Sequence, residues 1–168
     1  MVATECALER PLDIEATRGA LAALVIAGRF QLVADDPPTV VDGAHNPQAA
    51  AVLADAVAEA WPDPSRRPLV VLGMLADKDA AGVVAALAPV AEGFLVTAPD
   101  AGRALRADQL ASVVEEVTGV RPPTAANVGA AIAQARQRAS HGVLVTGSLY
   151  TVGEALVALA AAPSSDQC

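Results

Sequence analysis

Short aliphatic runs alternate along this chain with longer segments whose apolar positions recur every three or four residues, a pattern of strands followed by helices. Phe30-Gln31-Leu32-Val33 and Thr39-Val40-Val41 read as short strands around the turn Asp35-Asp36-Pro37-Pro38. Residues 47–61 read as a helix: Leu53, Val57, Ala60 and Trp61 share one face, and Asp55 and Glu59 lie off it. Asn46 can cap this helix, Pro47 fits its first position, where no amide donor is needed, and Pro62 and Pro64 close it. The same reading predicts a buried strand over 68–72 ended by Gly73, a helix from about 79 to 87, a strand over 94–97 and a helix over 107–117. Thr124-Ala125 reads as a short strand, and Asn127 caps a helix through Arg138. A strand over 143–146 and a helix over 151–161 complete the series. Continuous aliphatic strands separated by helices predict an open, mostly parallel α/β sheet with helices on both faces. The units are too few for an eight-fold barrel, and no internal repeat is visible.

Residues 1–27 break the alternation. Asp13-Ile14-Glu15 precedes an apolar helix expected over 19–26, with no strand of its own, so this segment reads as a linker and helix remaining from an upstream region. The α/β domain is expected over 28–162 and a polar tail over 163–168. A length of 168 residues suits one domain, which at this size hides roughly 70% of its unfolded surface. Apolar residues make up 54% of the chain and aromatics only 2%, so the core must be layered from Ala, Val and Leu.

The net charge is −8, and no Lys/Arg run is dense enough to neutralise nucleic-acid phosphates, which excludes that class of partner. Charged residues from Glu5 to Arg18 interrupt any signal-peptide core, and no uncharged stretch is long enough to cross a bilayer as a helix. Cys6 and Cys168 lack partners at metal-ligand or redox spacing and fit a reducing compartment, so a cytoplasmic location is expected.

In an open parallel sheet, ligands bind beyond the carboxyl ends of the strands, and polar residues gather at four such places. The run Asp42-Gly43-Ala44-His45-Asn46-Pro47 joins a strand to a helix. Its helix amides attract anions, Asp42 can accept from sugar hydroxyls, and His45 can donate to a carboxylate or phosphate. It also reads as a plain turn in which Asp42 and Asn46 cap amides. The second place, Gly73 to Asp79, carries Lys78, the only lysine, where a helix begins. A cation there opposes the helix dipole unless an anion compensates, although pairing with Asp77 or Asp79 would serve equally. The third is Thr146-Gly147-Ser148, where Ser148 is a ligand donor or an ordinary cap. The fourth is Arg29, whose guanidinium matches phosphate oxygens, or else is an unpaired surface arginine.

Several chemistries are excluded by spacing. There is no Gly-x-Gly-x-x-Gly and no Gly-x-x-x-x-Gly-Lys-Ser/Thr. Ser148 is not in a nucleophile elbow, because position 150 is Tyr, and Asp42 and His45 share one tight turn. His45 and His141 lack a third ligand for zinc, so no metal site is expected, and His141 reads as a turn residue.

The hexapeptide Asp42 to Pro47 resembles the signature of folylpolyglutamate synthase and the related bifunctional dihydrofolate synthase, which belong with the Mur ligases. The resemblance continues in order through Gly28-Arg29-Phe30, Gly73 to Lys78-Asp79, Gly147-Ser148-Leu149-Tyr150 and Gly153-Glu154. Ala27 stands where that family usually has Pro. The resemblance implies the Rossmann-like C-terminal domain of an ATP-dependent ligase that adds glutamate to folate, with ATP as a substrate. It implies Arg29 on ATP phosphates, Asp42 on the ribose, and His45, Lys78 and Ser148 around the glutamate and the transferring phosphate. No catalytic residue is assigned to this domain. Magnesium, most folate contacts and the phosphate loop are expected on an N-terminal ATPase domain that this chain lacks, so the chain alone is expected to be inactive. The competing expectation is a stand-alone α/β module that binds a small anion.

Overall fold

The computed structural model describes residues 2–22, 24 and 26–161; the expected polar tail over 163–168 lies outside them, as does Cys168. The domain is a five-stranded sheet with helices on both faces. In chain order its elements are β1 (Gln31–Asp35), β2 (Pro38–Val41), α3 (Pro47–Ala60), β3 (Leu69–Leu72), α4 (Ala80–Leu87), β4 (Gly93–Val96), α5 (Ala107–Thr118), α6 (Val128–Arg138), β5 (Val143–Thr146) and α7 (Leu149–Ala161). They follow two helices, α1 (Val2–Leu8) and α2 (Ile14–Ala22). The strand order is β1-β2-β5-β3-β4. β2, β5, β3 and β4 run parallel and β1 is antiparallel, a hairpin partner on the edge. The predicted open, mostly parallel sheet is therefore observed.

The aliphatic strands are buried because each is covered on two sides. Val40, Val70, Leu72 and Leu144 face α3, α4 and α5, while Val41, Val71, Val143 and Val145 face α6 and α7. Consecutive side chains of a strand point to opposite layers, so an uninterrupted Val/Leu run is what a doubly covered strand requires. The Asn46 and Asn127 carboxamides cap α3 and α6, accepting from Ala49 N–H and Ala130 N–H at 2.8 Å each.

Besides α1, which the sequence pattern did not assign, and β1, which runs to Asp35 rather than ending at Val33, three elements differ from expectation. The N-terminal helix lies at Ile14–Ala22 rather than 19–26, because the Asp13 carboxylate accepts from Ala16 N–H at 2.8 Å and starts the helix early. Helix α7 begins at Leu149, two residues before the expected start. Thr124 makes only an isolated bridge to Val96 rather than a strand.

Arg136 on α6 ties the far edge of the sheet together. Its guanidinium donates to Thr39 Oγ1 (2.7 Å), Asp36 O (2.7 Å) and Pro37 O (3.3 Å). Arg136→Ala should therefore loosen the β1–β2 turn and cost about 1–2 kcal/mol, read as a lowered urea midpoint with unchanged slope. His141 sits at this amino-end edge, where its carbonyl accepts from Trp61 Nε1 at 3.0 Å, as a turn residue should.

Candidate functional site at the carboxyl edge of the sheet

The register places the carboxyl ends of β2, β5, β3 and β4 in one row, since Val41 pairs with Val145, Val145 with Val71, and Leu72 with both Thr146 and Val96. The connections leaving these strands are knitted together by the backbone. Asp42 N–H donates to Val145 O (3.0 Å), Gly147 N–H to Ala44 O (3.1 Å) and Gly73 N–H to Thr146 O (3.1 Å). The first helical turns of α3 and α4 also meet there, with Pro47 Cγ lying 2.5 Å from where a Cβ on Gly82 would be. The N-termini of α3, α4 and α7 all follow strand ends on this edge; Asn46, Asp79 and Ser148 each cap one of their amides, and the remaining first-turn amides and the dipoles favour anions.

Asp42 is the organising residue. Its carboxylate accepts from Phe30 N–H (2.9 Å) and from Ala44 N–H (2.8 Å), joining the turn before β1 to the loop after β2. Phe30 has a positive φ of 38°, so that tether holds a backbone conformation the residue would not choose alone. A carboxylate has about four acceptor positions, so two remain for a ligand's hydroxyls. Gly43 lets the Leu149 and Arg29 side chains close over it: an added Cβ would meet Leu149 and lie 2.9 Å from Arg29 Nη1, and both side chains would have to swing aside.

Arg29, Asp42 and His45 line one cleft of about 340 Å³, walled by Phe30, Val52 and Leu53. The Arg29 guanidinium is exposed and has no carboxylate within ion-pair reach among the described residues. His45 Nδ1 lies 2.9 Å from Gly43 O. A carbonyl only accepts, so Nδ1 carries the proton and Nε2 is left for a ligand, as an acceptor when the ring is neutral and a donor when it is charged.

Lys78 and Ser148 lie on the same edge but outside this cleft. Lys78 pairs with Asp77 at 3.1 Å, and Arg103 approaches the other oxygen of that carboxylate at 3.3 Å. The hydrogen bond from Lys78, with the charge of Arg103 behind it, holds the Asp77 carboxyl below its ordinary range. Asp79, not Lys78, caps α4 by accepting from Gly82 N–H at 2.9 Å. Ser148 is buried. Its Oγ accepts from Thr151 N–H (3.0 Å) and contacts Thr151 Oγ1 (2.8 Å), whose own proton goes to Gly73 O (2.8 Å). The Ser148 proton is thus committed to Thr151, and the donors at this point are the first amides of α7.

Arg103 and Thr151 are the residues that sequence reasoning missed. Arg103 reaches the edge because the loop after β4 pairs with the loop after β3, through Ala76 N–H to Arg103 O (2.8 Å) and Leu105 N–H to Met74 O (2.8 Å). The signal available was a Gly-Arg pair shortly after a strand end. Thr151 carried none, since a buried threonine in a helix reads as packing. Glu154 on α7 supports the same loop by accepting from Asp100 N–H at 2.7 Å.

These features define an open-sheet α/β domain with helix N-termini, an arginine and a histidine along one edge. The chain matches the family described as Mur ligase, glutamate ligase domain over residues 28–149, and it belongs to that family. It is 35% identical over 164 residues to a dihydrofolate synthase/folylpolyglutamate synthase of Mycobacterium tuberculosis, covering 88% of this chain and 33% of the relative. Crystal structures of Mycobacterium tuberculosis folylpolyglutamate synthase complexed with ADP and AMPPCP superpose with a TM-score of 0.83 at 33% identity, covering 95% of this chain and 38% of that one. A bifunctional folylpolyglutamate synthase/dihydrofolate synthase with Mn, AMPPNP and L-glutamate bound gives a TM-score of 0.77 at 34% identity, covering 90% and 36%. The chain spans between 16% and 33% of the length of the curated relatives it matches.

Proposed function

We propose that this chain is the nucleotide- and glutamate-contacting domain of an ATP-dependent acid–amino-acid ligase that extends folate with glutamate, working with an N-terminal ATPase domain in the cytoplasm. The observation that carries this reading is the cleft in which Arg29, Asp42 and His45 meet beside the amides of α3, in a chain of the glutamate ligase family. Arg29, exposed and without an ion-pair partner among the described residues, is suited to ATP phosphates. Asp42 keeps two acceptor positions for ribose hydroxyls. Around the amino acid, Lys78 and the first amides of α7 beside Ser148 supply positive charge for its carboxylates.

In such a ligase a folate carboxylate takes the γ-phosphoryl group of ATP and releases ADP. The glutamate amine then attacks the acyl carbon, and phosphate leaves. The domain's part is orientation and charge stabilisation, which suffice for large rate gains when the reacting groups are held in place. In this reading His45 Nε2 accepts from the amino acid's amine when the ring is neutral and donates to carboxylate or phosphoryl oxygens when it is charged. Among the described residues no group of three or more His, Cys, Asp or Glu converges. In this reading magnesium is held mainly by the N-terminal domain.

A chimera tests the proposal: this chain replaces the matching part of the Mycobacterium tuberculosis relative. The chimera should form glutamylated folate with ATP, while the isolated chain turns over no ATP. His45→Ala in the chimera should lower kcat/KM for glutamate about a hundredfold, the usual cost of one lost transition-state donor, with folding unchanged by circular dichroism. Wild-type turnover by that variant would remove His45 from the site. Micromolar binding of ATP or glutamate by the isolated chain, with an inactive chimera, would favour the stand-alone anion-binding module.

A further inference from the structure

We propose a second ligand site on this domain, at the amino-end edge of the sheet, that takes a small organic monoanion with an aromatic or aliphatic body. A cleft of about 500 Å³ opens there, bounded by the starts of β3 and β4, the last turn of α5 and the segment from Val120 to Pro123. Its volume falls within the range of small-molecule sites. It lies at the opposite end of the strands from Asp42 and His45, because Leu69 and Gly93 are the first residues of their strands and Thr118 and Arg138 the last of their helices.

Three features select the occupant. The walls are apolar and firm: Phe94 and Val114 belong to the packed core, and Pro122-Pro123 fix the facing segment. The rim is cationic. Arg121 and Arg138 line the cleft, with Glu92 the one acid among its lining residues. Arg138 has no carboxylate within ion-pair reach among the described residues, while Arg121 is steadied by Glu115 at 2.6 Å. The floor includes a sheet edge. Val96 turns its N–H and C=O outward to Pro123 O (3.0 Å) and Ala125 N (2.9 Å). Alternation along the strand turns the same groups of Phe94 outward too, below the point where that pairing stops.

A protein or peptide adding a strand would need a longer free edge than Phe94 alone provides. A compact molecule needs only one donor, one acceptor and a cation at the mouth. A neutral apolar molecule would leave the Arg138 guanidinium without a counter-charge. An amphipathic carboxylate supplies one, with its body against Phe94 and Val114 and its charge at Arg138.

The site is independent of the ligase reading and can be tested on the isolated chain. The ¹⁵N-labelled chain is titrated with 4-phenylbutyrate and, separately, with the neutral 4-phenylbutanol, following backbone amides by NMR. Saturable shifts are expected at Gly93, Phe94, Val120, Arg121 and Arg138 with phenylbutyrate. Arg138→Gln should weaken phenylbutyrate about tenfold and leave phenylbutanol unchanged. Val120→Glu, at a position 68% exposed and so safe for folding, should abolish binding of the acid by placing a carboxylate at the mouth. Failure of these amides to shift saturably overturns the proposal, as do shifts confined to the Asp42–His45 edge or to α1 and α2. Equal affinity of wild type and Arg138→Gln for the acid overturns it as well.

Discussion

Gly147→Ala should destabilise the domain by about 4 kcal/mol and lower its melting temperature by roughly 10–15 °C. Gly147 has a φ of +105°, a region that a residue with a side chain occupies only under strain. The added Cβ would lie 2.5 Å from Gly73 O and 2.9 Å from both Leu72 Cδ1 and Met74 Cγ. A backbone carbonyl cannot rotate away as a side chain can, and this one already accepts from Thr151 Oγ1. Relief would have to come from separating β5 from the loop after β3, which breaks the Gly73 N–H to Thr146 O bond at the centre of the edge. Strain of ~1–3 kcal/mol and overpacking of a similar size add to the figure given. Gly153→Ala is the control. Gly153 lies inside α7, where an added Cβ meets nothing within 4 Å, so alanine there should be neutral or stabilise by up to about 1 kcal/mol. Thermal unfolding of both variants by circular dichroism decides it. A Gly147→Ala melting curve that overlays the wild type would mean the junction of β5 and β3 is more open than described.

Asp42→Ala should cost about 3 kcal/mol of stability and, in the chimera, abolish ATP binding. The half-buried carboxylate serves two backbone donors at once. Hydrogen bonds to a charged acceptor are worth ~1.5–3 kcal/mol each, and the donors left behind add a desolvation cost. Asp42→Asn keeps one acceptor oxygen but turns an NH₂ toward an N–H donor, so about half the loss should remain. Without the tether, Phe30 can leave its positive φ and carry Arg29 away from Gly43. The nucleotide effect should therefore exceed what loss of the proposed ribose contact alone explains. Urea unfolding measures the first part and calorimetric titration of the chimera with ADP the second. If Asp42→Ala unfolds at the wild-type urea midpoint, the carboxylate is not holding the two loops.

Much of this architecture was legible before any coordinates, for reasons tied to particular residues. Doubly covered strands leave no polar positions, so Val70-Val71-Leu72 and Val143-Leu144-Val145 announce themselves as parallel and internal. Local chemistry marks helix starts, which is why Asn46-Pro47 and Asn127 were sufficient to place α3 and α6. Where a start depends on a less obvious acceptor, as with Asp13 before α2, the reading slipped by several residues. Strand ends in an open parallel sheet share one edge, so Asp42, His45, Lys78 and Ser148 could be assigned to the same side without knowing the strand order, whereas Arg29, which precedes β1, reaches that side because β1 runs antiparallel.

Pattern and spacing along the chain determined the alternating elements, the doubly covered sheet and the edge on which polar residues gather, because each depends on near neighbours. Only the tertiary structure decided how those residues are employed. It divided the candidates into a cleft holding Arg29, Asp42 and His45 and a separate pair of positions at Lys78 and Ser148. It committed the Ser148 proton to Thr151 and brought Arg103 against Asp77 from another loop. The reason is physical: a hydrogen bond or ion pair between residues far apart in sequence forms only where folding brings both partners together, and nothing in either one's local sequence records the meeting.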